Sequence, residues 1–328
     1  MAQTTSEVWN TRWSATHRAI RPEVQDNFFE EYAIIDLFRK SGLRMTDNGG
    51  KEISVRVATG GGTATAFDTY DVLPKSPVDP VESAHYKRRY YAVPVVLSDT
   101  ESWENKGEHE VFDQLSYLDT NATSSLLKAI NEDMAGAQSG KTMLGFQDIM
   151  SDAGTGTVGG INSSTTVAWK SQIYGTSKTF LTQSTTNIFD GIVAWNDIMD
   201  SCRIQGGRTS HIITTFDIVK AYREALSSQG YARTTTEKVR GIGGQMNPPF
   251  YDAEVVADND IKANASYFVD KRHNKLNVLK SANFTTTPFV TLQSNGQLAQ
   301  LAYKVAGVQL TTDNRRRSGV ASAITGSA

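Results

Sequence analysis

Gly154, Gly156 and Gly159 satisfy the G-x-G-x-x-G spacing. Between an apolar strand and a helix, that spacing lets backbone amides approach a dinucleotide pyrophosphate. Here QDIMSDA precedes the glycines and a β-branched, Ser-rich run follows, so the stretch reads as a glycine loop. Residues 135–142, AGAQSGKT, miss a phosphate-binding P-loop by its first glycine and follow a long helical pattern instead of a strand. They read as a helix C-terminus, with Lys141 placed against the negative end of the helix dipole. The histidines at 17, 85, 109, 211 and 273 show no H-x-x-x-H or H-E-x-x-H spacing. No G-x-S-x-G elbow occurs, and the single cysteine, Cys202, falls on a predicted buried helix face where a thiolate is disfavoured. No catalytic, cofactor-binding or metal-binding residue is assigned, and the expectation is a protein that is not an enzyme.

Composition narrows the class further. The chain has 328 residues, with 33 Lys plus Arg against 35 Asp plus Glu and a formal charge of −2. A dedicated nucleic-acid binder would carry a cationic surplus, so that class is disfavoured. One cysteine excludes intramolecular disulfides and multi-cysteine zinc sites. No apolar run nears the ~20 residues that span a bilayer, and the N-terminal MAQTTSEVWN lacks the basic and apolar regions of a signal peptide. No membrane partner is expected.

The elements must therefore carry the function. Residues 1–50 read as a helix-prone arm, with Trp9 and Trp13 in a polar lead and an apolar stripe of Phe28, Phe29, Tyr32, Ile35, Leu37 and Phe38. Two tryptophans in a polar arm need a surface to bury against, either their own domain or a neighbouring chain. Residues 52–58, EISVRVA, alternate as a half-buried strand, and strand composition returns from Tyr86 to Leu97 after a Gly- and Pro-punctuated stretch. Together they predict an extended hairpin over 51–98, with Lys87, Arg88 and Arg89 on its outward face. Such a hairpin cannot bury enough surface to stand alone. Over 108–135, Val111, Leu115, Leu118, Ala122, Leu126, Ile130 and Met134 recur at helical spacing. Residues 151–187 read as surface loop anchored at Trp169. A helix with Ile192, Trp195, Met199 and Cys202 inward follows, then a strand at 211–214 and a helix from Ile218 to Leu226. Short strands are predicted at 253–257, 267–270 and 276–280, and again over 289–311, where Gly307 suggests a bulge. The tail carries Arg315, Arg316 and Arg317.

The order of these elements resembles the major capsid protein of tailed bacteriophages, the Hong Kong 97-type capsid fold. The likeness is carried by YKRRYYAVPVVLS at 86–98, VFDQL through LLKAINEDM at 111–134, VGGINSSTTVAWK at 158–170, HIITTFDIVKAYREAL at 211–226, YAR at 231–233, FYDAEVVAD at 250–258, YFVD at 267–270 and a terminal RRRSGV. The resemblance implies an α+β fold: an N-terminal arm (1–50), an extended β-hairpin loop (51–98), a peripheral domain with a long spine helix (99–150), an α/β axial domain (151–275), and return strands with a C-terminal tail (276–328). It further implies a homo-oligomer of hexamers and pentamers in an icosahedral shell, in the virion after assembly in the host cytoplasm. Its partners would be a portal, a separate scaffold or decoration protein, and packaged double-stranded DNA contained without sequence-specific binding. No cofactor is implied. In this reading the hairpin overlies an adjacent subunit's spine helix, with Lys87, Arg88 and Arg89 meeting Glu108, Glu110, Asp113, Glu132 and Asp133. Trp9 and Trp13 make further intersubunit contacts, and Arg315, Arg316 and Arg317 form a basic cluster on the inner surface or the lattice. A nanocompartment shell of the encapsulin type shares the fold and is the alternative.

Overall fold

The computed structural model describes residues 32–42, 44–62, 64–71, 80–104, 114–183, 188–203, 206–228, 248–292 and 296–326. Its helices are α1 (Ala33–Lys40), α2 (Asp99–Glu104), α3 (Gln114–Ala135), α4 (Phe146–Ile149), α5 (Asp190–Cys202) and α6 (Phe216–Ser228). Its first strands are β1 (Arg44–Asp47), β2 (Glu52–Ala58), β3 (Val81–Lys87), β4 (Arg89–Ser98), β5 (Thr157–Val158), β6 (Ile161–Asn162), β7 (Gln172–Tyr174) and β8 (Lys178–Thr179). The rest are β9 (His211–Thr214), β10 (Glu254–Ala257), β11 (Ser266–Val269), β12 (Asn274–Leu279), β13 (Thr285–Thr286), β14 (Val290–Thr291), β15 (Ala299–Thr312), β16 (Gly319–Ala321) and β17 (Ile324–Thr325). The described residues divide into two compact units, one holding 92–126 and 284–305, the other 32–91, 127–283 and 306–326.

In the smaller unit, the first half of β15 pairs antiparallel with β13 (Thr285 opposite Val305) and β14 (Val290 opposite Leu301). Ala302, Val95 and Ala122 are buried together, with Val93 and Leu118 packed against them. Lys304 is buried as well. Its ammonium donates to the Asp119 carboxylate at 2.7 Å, and Thr286 donates to the same carboxylate at 3.1 Å. The lysine holds the Asp119 pKa below the usual carboxylate value.

The larger unit is built on a mixed five-stranded sheet in the order β10-β9-β11-β16-β7. Every residue of β9 and β11 is buried, as expected for strands covered on both faces. On one side α5 and α6 bring Trp195 and Tyr222 against Phe180, Phe250 and Phe268, with Trp195 5.0 Å from the Tyr222 ring and 5.2 Å from Phe250. On the other, Tyr267 stacks on Phe146 and Phe146 meets Phe38 of α1, each pair 5.9 Å apart. Offset and edge-on ring pairs of this kind add ~1 kcal/mol each beyond simple burial. Leu37 and Phe38 of the expected stripe are buried in α1, where Ile34 is buried in place of the half-buried Ile35. Its first turn is capped from a distance, because the Asp258 carboxylate accepts from the Ile34 amide and Asn131 from the Ile35 amide.

Three expectations need correction. The strand that pairs with β2 is β3, from Glu52 opposite Lys87 to Ala58 opposite Val81, so the hairpin closes one strand earlier than the 86–97 run suggested. β4 pairs with β15 instead. The passage 151–187 is not simply loop: β5 and β6 form a tight hairpin, β7 joins the five-stranded sheet and β8 pairs with β17. Two- and three-residue strands within a Gly-, Ser- and Thr-rich passage leave too little periodicity to read. Gly307 lies within β15, where a Cβ would come 3.1 Å from the Tyr90 ring, so it makes room for an aromatic side chain.

Candidate assembly surface

The β2–β3 hairpin has two chemically distinct faces. Ile53, Val55 and Val57 of β2 share one face with Ala84 and Tyr86 of β3, and Val57, Ala84 and Tyr86 are buried. The Tyr86 hydroxyl donates to the Thr312 carbonyl at 2.7 Å, and burial pushes its pKa well above the usual phenol value. The His85 amide donates to the Gly159 carbonyl at 2.8 Å. Gly159 adopts φ +62°, and a Cβ there would lie 2.8 Å from Ala84 Cβ. Only glycine fits both the backbone and the approach. Of the glycines at 154, 156 and 159, Gly159 thus docks the hairpin, while Gly154 closes on Ser171 and Ile173.

The opposite face carries Glu52, Ser54, Arg56, Ser83, His85 and Lys87, with Ser54 Oγ 2.9 Å from His85 Nδ1. All except the half-exposed Glu52 are exposed. Beyond the strands, Phe67 is 68% exposed and Tyr70 97% exposed. A folded chain does not normally offer aromatic rings so fully to water without a partner surface.

The structure distributes the sequence-predicted residues unevenly. Lys87 is exposed on the polar face of β3. Arg88 is a correction, because its side chain is only 5% exposed: Nη2 donates to Asp47 at 3.1 Å and to the Gly49 carbonyl at 2.8 Å. Arg89 is half-buried. Glu132 is exposed, 4.0 Å from Lys128 along α3. Asp133 accepts a 2.5 Å hydrogen bond from the Tyr91 hydroxyl, which also accepts from the Met143 amide at 2.9 Å. Burial and that carboxylate together raise the Tyr91 pKa. Trp9, Trp13, Glu108, Glu110 and Asp113 lie outside the described residues.

The terminal arginines do not form a common basic surface, which corrects that expectation. Arg315 is fully buried, and its guanidinium donates to the carbonyls of Asp148, Ile149, Thr155, Gly156 and Trp169 at 2.6–3.5 Å. Burial lowers its pKa to about 10. Arg316 and Arg317 are half-buried, and Arg317 Nη1 lies 2.9 Å from His273 Nε2.

One surface had no sequence signal. Val93 and Val95 of β4 point into the core of the smaller unit, so Pro94 and Val96 point out, and Val96 is 49% exposed. On β15, Ala302 and Lys304 point in and Tyr303 points out, 44% exposed; Val290 of β14 is 63% exposed. A β-sheet covered on only one face normally turns polar residues outward. A continuous apolar run such as YAVPVVL does not show which of its residues face outward.

Among the described residues no group of three or more His, Cys, Asp or Glu could hold a metal ion, and no helix is long and apolar enough to cross a membrane. Cys202 is buried, which pushes its thiol up to about 12.

No family model and no curated protein matches the sequence. Solved structures do match the fold. The capsid asymmetric unit of cyanophage A-1(L) superposes with a TM-score of 0.66 at 16% identity, covering 93% of this chain and 96% of that one. The capsid of the native GTA particle gives 0.63 at 11% identity over 98% and 99%. The holo-SrpI encapsulin complex of Synechococcus elongatus PCC 7942 gives 0.60 at 7% identity over 100% and 98%. The chain has the fold of tailed-phage major capsid proteins over nearly its whole length.

Proposed function

We propose that this chain is the major capsid protein of a tailed phage, a non-catalytic subunit that assembles as hexamers and pentamers into an icosahedral shell around double-stranded DNA. The observation that carries the reading is the full-length match to capsid structures. Two local features support it: a polar hairpin ending in exposed Phe67 and Tyr70, and a β-sheet with apolar residues on its outward face. Both are surfaces that repeated contact with other copies would cover. In this reading the α5–α6 sheet is the axial domain, α3 is the spine and β13–β15 belong to the peripheral domain. Trp9, Trp13, Lys87, Arg89, Glu108, Glu110, Asp113 and Glu132 are the residues proposed to reach neighbouring subunits. A portal and a separate scaffold or decoration protein complete the particle, which forms in the host cytoplasm.

The encapsulin match favours a second reading, a nanocompartment shell loaded with protein cargo. The two differ in contents. The chain is co-expressed with its neighbouring genes, and fast-sedimenting particles are treated with nuclease and opened. Protected double-stranded DNA supports the phage reading; a single co-purifying protein cargo without DNA supports the compartment. Absence of any fast-sedimenting material contradicts both.

A further inference from the structure

We propose that Asn48 is a site of spontaneous covalent modification, losing its side-chain amide to become aspartate and isoaspartate. Asn48, Gly49 and Gly50 are all exposed in the connector between β1 and β2. Neither the Asn48 amide nor the Gly49 N–H has a hydrogen-bond partner among the described residues. Nothing beyond the neighbouring residues lies within 4 Å of the place a Gly49 side chain would occupy, so the turn has room to rearrange.

The chemistry needs no reagent but water. The Gly49 backbone nitrogen attacks Asn48 Cγ, a C–N bond forms, and the Cγ–Nδ2 bond breaks as ammonia leaves with the proton from the attacking nitrogen. The five-membered succinimide then takes up water at either ring carbonyl. Opening at one gives aspartate with the original backbone. Opening at the other gives isoaspartate, with the side-chain carbon now in the main chain. Glycine after the asparagine is the favourable case, because no Cβ hinders the attacking nitrogen.

Other asparagines in the same chain provide the contrast. Asn131, Asn274 and Asn277 are buried, and their amides donate to Asp258 and Asp260, to Ser318, and to Thr311. Their next residues are Glu, Lys and Val, so ring closure is blocked by hydrogen bonding and by the following side chain. Conversion at Asn48 adds a carboxylate beside Asp47, at the turn whose carbonyl and carboxylate hold Arg88.

The test keeps the full purified chain in mildly alkaline buffer and maps its tryptic peptides by mass spectrometry over time. The peptide MTDNGGK, residues 45–51, is expected to gain the acid-for-amide mass difference and split into two isomers, isoaspartate the larger. The Asn131, Asn274 and Asn277 peptides should stay unchanged, and Asn48→Gln should lose the new species at 45–51. Conversion at 45–51 no faster than in those three peptides, or seen only after the chain is denatured, overturns the proposal.

Discussion

At the scale of single residues, Arg315 and His211 are two ionisable groups that the fold buries. Arg315 donates to five carbonyls, of which Thr155 and Gly156 also accept from Ser151 and Ser163. Arg315→Met should destabilise the fold by about 3–5 kcal/mol in chemical denaturation, since it removes the donor on which the Asp148, Ile149 and Trp169 carbonyls converge. Little loss would mean that those carbonyls find other partners. His211 is buried with Nε2 against Ser41 Oγ, and burial together with the Lys271 cation lowers its pKa to about 4. Its folded value lies below the unfolded one, so the unfolded chain takes up the proton first. The neutral-histidine contribution is complete above pH ~6.5 and is lost as pH falls toward 4, reaching about 3 kcal/mol. Stability measured across that window should fall less steeply in His211→Gln than in the natural chain. Neither residue's role was legible beforehand. RRR in a polar tail gives no sign that its first arginine turns inward, and a histidine beginning a strand does not announce what packs on it.

Elements were more legible where periodicity ran long. The α3 stripe of Ala122, Leu126, Ile130 and Met134 is buried as its spacing required, and so are Trp195, Met199 and Cys202 of α5. Strand pairing was harder, because β3 and β4 are separated only by Arg88 and both have strand composition. Contacts made far along the chain decide it: Tyr86 reaches Thr312 and Ala84 meets Gly159. Gly159→Ala should loosen the hairpin's seat and lower stability by about 1–3 kcal/mol, with faster hydrogen exchange across β2 and β3. Unchanged exchange there would show that the close approach does not hold the hairpin. In the smaller unit, Asp119→Ala leaves Lys304 buried without its carboxylate. A loss of about 3 kcal/mol, recovered in part by Asp119→Ala with Lys304→Met, is the expected double-mutant result.

At the scale of the whole molecule, the order of elements identified the fold, while the exposed surfaces proposed to meet other copies stayed mostly unread. The intersubunit pairs that the family resemblance implied included Arg88, which its own chain already occupies through Asp47. Exposed Phe67, Tyr70, Val96 and Tyr303 emerged only once the chain was folded, because outward and inward apolar residues look alike in sequence. Charge reversal at Lys87 should leave the subunit folded and soluble while reducing particle yield, read by sedimentation. Normal yield would remove Lys87 from the assembly surface. The most direct test of shell formation is negative-stain imaging of size-fractionated protein, expressed alone and with its neighbouring genes. Closed shells, or rings of five and six subunits, are expected. Monomer alone under both conditions would contradict shell formation.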